Sequence, residues 1–183
     1  MVKIDRISNE HEKHTIRELK KKYNLSDRDY NIDEKGHVIN ISISNRNLEK
    51  IPEFINELKQ LKILNLSHNK ISKIEGLNNL SKLRKLNLHA NIITHISGLE
   101  NLNQLKDINL LHNKIIKIEG LDNLSRLQRL NLYNNQIKKL EGLGNLSQLL
   151  ELQLSNNPLL DKDRKIYEKG LKTVIEYCKE NEY

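Results

Sequence analysis

One nine-residue phrase is written five times at a fixed interval, and nothing else in the chain limits its fold so tightly. Leu61-Lys-Ile-Leu-Asn-Leu-Ser-His-Asn69 returns at Leu83–Asn91, Leu105–Asn113, Leu127–Asn135 and Leu149–Asn157, each start 22 residues after the last. A constant period of this length marks a stacked architecture in which no unit buries its own apolar face without its neighbours. Within the phrase, Leu64 and Leu66 alternate with polar residues, so the segment reads as a short strand with both leucines inward. Stacking then makes the strands of successive units neighbours in one parallel sheet.

The asparagine at the ninth position turns the chain out of each strand. Its amide carries donors and an acceptor and can satisfy backbone groups that a buried turn would leave unpaired. Asn69, Asn91, Asn113, Asn135 and Asn157 are therefore expected to form a structural ladder. The return half of the unit carries Ile71, Ile74, Gly76, Leu77 and Leu80, with equivalents in the next three units. Strand and turns use roughly half of the period, too much to leave room for an ordinary helix of about 11 residues, so 3-10 or extended pieces are expected there.

The L-x-x-L-x-L-x-x-N phrase followed by I-x-x-I-x-G-L-x-x-L resembles the leucine-rich repeat family. The 22-residue unit is similar to the short class found in a phosphatase-regulatory subunit. That resemblance implies an α/β solenoid: a right-handed superhelix with a parallel sheet on its concave face, a 3-10 or extended convex face, and helical caps. It also implies a module that binds protein. Three regions follow: an N-terminal helical cap and connection over 1–37, repeats over 38–160, and a C-terminal helical cap over 161–183.

The first repeat, from Val38, is degenerate. Val38, Ile41, Ile43, Leu48 and Ile51 fill the buried slots, but Arg46 stands where later units carry asparagine, and the unit is one residue longer. Before it, Ile16, Leu19 and Tyr23 give a charged helix a narrow apolar stripe; Asn9 with Glu12 suggests a capping box, and Ile7 a hydrophobic staple. The helix is expected to cover the open edge of the first strand. Asn24–His37 reads as a polar connection whose Asp27, Asp29 and Asp33 lack the spacing of a calcium loop. After Leu160, Ile166, Leu171, Val174 and Cys178 mark a second helical cap broken near Gly170.

Three columns of side chains are left on the open face of the sheet. The third strand position gives Asn40, Ile63, Lys85, Asp107, Arg129 and Glu151; the fifth gives Ser42, Asn65, Asn87, Asn109, Asn131 and Gln153. The seventh gives Ser44, Ser67, His89, Leu111, Tyr133 and Ser155. Asparagine is a poor strand former, and a column of four suggests amides bonded from strand to strand. Leu111 and Tyr133 in adjacent units, with Arg129 beside them, have the makeup of an interaction centre, surrounded by Lys85, His89, Asp107 and Glu151.

Composition narrows the function classes. No phosphate loop, G-x-S-x-G elbow or H-E-x-x-H pair is present, so no enzyme and no cofactor is expected. His68, His89 and His112 lack a cysteine or clustered carboxylate to complete a metal shell. The net charge of +7 resides mainly in the repeats, where residues 61–160 hold 13 basic and 7 acidic groups. With aromatics at 4%, a nucleic-acid surface is the weaker reading beside a protein or peptide partner. Another alternative is a regulatory fragment of a larger protein, for example beside a GTPase domain. There is neither an apolar run long enough to span a membrane nor a leader, and the one cysteine, Cys178, cannot form an internal disulfide; a cytoplasmic monomer is expected.

Overall fold

Alternating leucines need only a few extended residues to point the same way, and the strands are correspondingly short. The computed structural model describes residues 3–181. It contains β1 (Tyr30–Ile32), β2 (Val38–Ser42), β3 (Ile63–Asn65), β4 (Lys85–Asn87), β5 (Asp107–Asn109), β6 (Arg129–Asn131) and β7 (Glu151–Gln153). Three helices flank them: α1 (Glu10–Tyr23) before the sheet, and α2 (Asp161–Glu168) and α3 (Leu171–Glu180) after it. The seven strands form one sheet in chain order, parallel from β2 to β7. The fold is thus a parallel-sheet solenoid with helices at both ends.

Strict register follows from the fixed period. Leu64, Leu86, Ile108 and Leu130 stand opposite one another on successive strands, each no more than 1% exposed. Behind them Leu66, Leu88, Leu110 and Leu132, together with the isoleucines and leucines of the return segments, complete a continuous core. Burying a side chain of this size is worth about 1.5–3 kcal/mol before entropic costs. The core is shared between units, so that gain requires neighbours.

The convex side is built from turns. In each regular unit a pair of three-residue-back bonds, such as Leu80 N–H to the Leu77 carbonyl and Leu83 N–H to the Leu80 carbonyl at 2.9 Å, carries the chain back towards the sheet. Only the longer first repeat forms a proper 3-10 segment there, Glu53–Glu57. The glycines at the sixteenth position are required by their surroundings. Gly98, Gly120 and Gly142 have φ near +70°, and a Cβ on them would lie 2.3 to 2.6 Å from the carbonyl oxygen of Ile74, Ile96 or Ile118 in the preceding unit.

The N-terminal end differs from the sequence expectation in two ways. Asn24–His37 is more than a connection: its Tyr30–Ile32 stretch pairs antiparallel with β2, so the first repeat strand is closed by another strand, while α1 packs on the Glu53–Glu57 turn. Asn9 caps α1 by accepting from the His11 and Glu12 N–H groups. The reciprocal half of a capping box does not form, because the buried Glu12 carboxylate instead accepts the Val38 N–H at 2.8 Å. The three aspartates of the connection are spent locally: Asp27 on Lys20 and Tyr30, Asp29 on Ser26, and Asp33 on the Lys35 and His37 N–H groups.

At the far end the chain breaks at Gly170, whose φ is +101°, and α3 lays Val174 and Cys178 into the core. Among the described residues no helix is long and apolar enough to cross a membrane.

Candidate interaction surface

Two polar ladders run across the strands. The inner one is formed by the ninth-position asparagines. Asn91 Oδ1 accepts the Ile71 N–H at 3.0 Å, and its Nδ2 donates to the Leu66 and Leu88 carbonyls at 3.0 Å. Asn113 and Asn135 repeat the pattern on Ile93, Leu88 and Leu110, and on Ile115, Leu110 and Leu132. Asn69 serves the degenerate unit, taking the Arg46 and Leu48 N–H groups and donating to Ile43, so the missing asparagine at Arg46 leaves no gap on that side. Asn157 makes the same bonds but is only half-buried.

The outer ladder corrects the expected stack of amides. Asn65, Asn87, Asn109 and Asn131 each accept from the N–H two residues further on, at 3.0 to 3.1 Å, and so fix the end of their own strand. Among the described residues only Asn65 reaches across strands from this column, donating to Ser42 Oγ. Local bonding wins because an Asx-type turn needs no neighbour to hold the side chain in place.

The predicted surface residues fall into two rows. Lys85, Asp107, Arg129 and Glu151 are the first residues of β4 to β7 and sit side by side in register. Within this row Arg129 donates to Asp107 Oδ2 through Nε at 3.1 Å and a terminal nitrogen at 2.8 Å. That hydrogen-bonded carboxylate raises the already high Arg129 pKa. The concave face around these residues forms a groove lined by Asn40, Ile63, Asn65, Lys85, Asn87 and Asp107, continuing past Arg129 to Glu151.

The second row lies where the chain leaves the strands. It holds His89 and Leu111, half-buried, and the exposed Tyr133. His112, which the sequence also sets beside the Leu111 and Tyr133 pair, and His68, considered there only as a metal candidate, belong to it as well. Ring centroids run His68 to His89 at 4.7 Å, His89 to His112 at 5.6 Å and His112 to Tyr133 at 5.9 Å. His68 and His112 occupy the eighth position in the left-handed conformation, with φ of +54°, which sets their rings beside the seventh-position rings of adjacent units. Alternation of aromatic residues between the seventh and eighth positions was the sequence signal for this row. Among the described residues no group of three or more histidine, cysteine or acidic side chains is placed to hold a metal.

The relatives of the chain agree with this architecture. A model described as Leucine Rich repeats (2 copies) matches residues 59–101, and one described as Leucine Rich Repeat matches residues 126–146. Both describe repeats, and no catalytic family is indicated; they do not resolve the short phosphatase-regulatory class. No curated protein sequence matches. Among solved structures, an internalin (inlF) from Listeria monocytogenes aligns with a TM-score of 0.63 and 27% identity over 87% of this chain and 47% of its own. Internalin C2 from the same organism aligns at 0.63 and 28% identity over 78% of this chain and 64% of its own. The chain therefore spans about half to two thirds of the internalins it resembles. The leucine-rich-repeat ectodomain of the receptor kinase SOBIR1 from Arabidopsis thaliana, at 20% identity and a TM-score of 0.67, shares the fold. By its repeats, its register and these matches, the chain belongs to the leucine-rich repeat family, whose members generally serve as protein-interaction modules.

Proposed function

We propose that the chain binds a protein or peptide on the concave face of its sheet, with Arg129, Tyr133 and Leu111 central and Lys85, His89, Asp107 and Glu151 around them. The observation that carries this reading is the groove itself: strand residues alone line it, so the terminal helices leave the sheet face accessible. Short strands locked by the two asparagine ladders keep that face rigid, which lowers the ordering cost of association. The Arg129–Asp107 pair presents a fixed charge pattern to a partner and favours specificity over raw affinity. The ninth-position asparagines remain scaffold in this proposal.

The same proposal takes 1–37 and 161–183 as caps around a 38–160 binding unit of the short repeat class, acting as a monomer without a cofactor. A lone cysteine in a repeat chain fits a reducing, cytoplasmic setting. A regulatory role beside a further domain is compatible with a chain that spans only part of its relatives.

The test is affinity capture from native lysate with the Arg129→Ala/Tyr133→Ala variant beside a Glu75→Ala/Glu141→Ala variant on the convex side. The concave variant is expected to keep its circular dichroism spectrum and lose the specifically captured protein, whereas the convex variant keeps it. Equal capture by both would refute the placement.

A further inference from the structure

The acidic residues of the repeats are segregated. Within residues 61–160 every Asp and Glu stands at the third, fifteenth or eighteenth position of its unit: Asp107 and Glu151, then Glu75, Glu119 and Glu141, then Glu100 and Asp122. From the seventh to the thirteenth position none of the four units from Leu61 to Gln148 carries a carboxylate, and Glu49 and Asp161 stand at the twelfth and thirteenth positions of the units on either side. That stretch instead holds Lys70, Lys73, Lys114, Lys117, Lys138 and Lys139, all exposed, together with His68, His89, His95 and His112. Of these lysines only Lys117 reaches a carboxylate among the described residues, Glu119 at 3.9 Å. The flank that follows the strands is thus cationic, and its inner border is the row of four rings.

We propose that this flank, with His68, His89, His112 and Tyr133 as its contact row and Lys70 and Lys114 beside them, binds an extended acidic segment of a protein partner, more tightly as pH falls from 7.5 to 5.5. Centroid steps of 4.7 to 5.9 Å across four adjacent units make a line that about five extended residues would span at roughly 3.3 Å each. Protonated imidazoles donate charge-assisted hydrogen bonds to carboxylates, and the lysines supply attraction at every pH. An extended peptide suits the row better than single-stranded nucleic acid. His68 against His89 and His112 against Tyr133 meet edge to face, which sets the edge of one ring against the face of the other, whereas bases need open faces on which to stack.

The direction of the pH effect follows from the groups that surround the row. His89 is held below its ordinary value of 6.5 by burial, then by the charges of His68 and His112; no carboxylate acts on it. The other titratable groups on the turns leaving β3, β5 and β6 are Lys70, Lys114 and Tyr133, and the concave carboxylates Asp107 and Glu151 stand four residues before the seventh position. His89 therefore resists protonation in the free chain, and an incoming carboxylate relieves that resistance. Protons are taken up on binding, so affinity rises as pH falls. Glutamate stays ionised throughout, since its ordinary pKa is about 4.3.

The inference rests on the chain being a protein-binding module, but its test uses a different probe and different variants from the concave-face experiment, so either can fail alone. The probe is a fluorescein-labelled peptide alternating glutamate and serine, followed by polarisation at constant low ionic strength. Affinity is expected to be about tenfold higher at pH 5.5 than at pH 7.5, the gain given by raising one imidazole pKa by about one on binding. The His68→Asn/His89→Ser/His112→Asn variant should abolish that pH dependence. It installs residues that sister units already carry there, as in Asn134, Asn156, Ser67 and Ser155, so the fold is kept. A Lys62→Gln/Arg84→Gln/Lys106→Gln variant, which removes charge from the second strand position, should leave the tenfold ratio intact. An unchanged ratio in the imidazole variant, no measurable peptide binding at either pH, or tighter binding of oligothymidylate than of the peptide would each overturn the proposal.

Discussion

The first and last strands of the repeat sheet meet the same problem, an edge with no next repeat, and the chain closes the two edges by different means. At the N-terminal edge, β1 pairs with β2 through the backbone, with Tyr30 opposite Ile41, and Ile41 and Ile43 are fully buried. At the C-terminal edge no strand follows β7 among the described residues. The Tyr167 hydroxyl on α2 accepts the Leu154 N–H at 3.0 Å, and α3 leans on the last unit. Leu149 and Leu152 there keep 8% of their surface, beside a groove lined by Leu146, Leu171 and Ile175. Backbone pairing seals an edge along its length, whereas side-chain bonds seal it only where a side chain reaches.

Both caps nevertheless share one device. Each sends a buried carboxylate into the repeat core to accept a backbone N–H: Glu12 from α1 to Val38 at 2.8 Å, and Asp163 from α2 to Leu140 at 2.7 Å. Like a ninth-position asparagine, each carboxylate satisfies a backbone N–H of the adjoining unit, at the first and fourteenth positions instead of the eleventh. The caps are therefore read by the repeats as substitute units.

If that equivalence holds, the cost of removing each acceptor should track how completely water is excluded from it. The largest loss is expected inside the array. Asn113→Ala strands the Ile93 N–H and removes the donor to two buried carbonyls, which at about 1–3 kcal/mol per orphaned group should cost roughly 3–5 kcal/mol in denaturant unfolding. Asn157→Ala, at the half-buried end, should cost less than half as much. Equal losses would mean that the terminal unit is as well sealed as the centre, contrary to the exposure of Leu149 and Leu152.

Glu12→Ala should come next, at about 2–4 kcal/mol, because the Val38 N–H it abandons lies under a closed hairpin. Asp163→Ala should cost about 1–3 kcal/mol, since water has a shorter path to the last unit. Tyr167→Phe removes only a neutral acceptor and should cost about 1 kcal/mol. Hydrogen exchange would sharpen the ordering: the Leu154 amide should exchange faster in Tyr167→Phe, with the β2 amides unchanged. A reversed order of Glu12 and Asp163 would break the claim that the N-terminal edge is the tighter one.

How much of this could be read in the sequence depends on how many residues share a signal. The core slots were legible because leucine and isoleucine recur at them five times, and the strand columns followed from period two. The closing strand was missed, since Tyr30-Asn31-Ile32 is three residues long and sits among aspartates that read as a turn. Glu12 read as half of a capping box and Asp163 was missed for a related reason: the partner of a carboxylate on a charged helix stays hidden until the backbone donor it serves has been placed. The ring row was half visible. His89 and Tyr133 stood in one column, but His68 and His112 stood in the next, and only the left-handed turn at the eighth position brings them together.

Acid should separate the two edges again, with the smallest effect of the set. Asp27 is held below its ordinary value of 3.8 mainly by the hydrogen bond from Lys20, and Asp33 mainly by the His37 backbone N–H. Both belong to the segment that carries β1. A depressed folded pKa means that the unfolded chain binds protons first. The stabilisation these groups give is therefore complete above about pH 4 and is lost as pH falls through their folded values. Amides of β1 and β2 should lose protection below pH 4 before those of α3 do, in exchange measured against a fixed temperature reference. Asp27→Asn, which cannot ionise, should flatten that acid dependence, and should leave the pH response of α3 unaltered. Simultaneous loosening of both ends would show that the closures act as one cooperative unit through the stack, and the separate treatment of the edges would then fail.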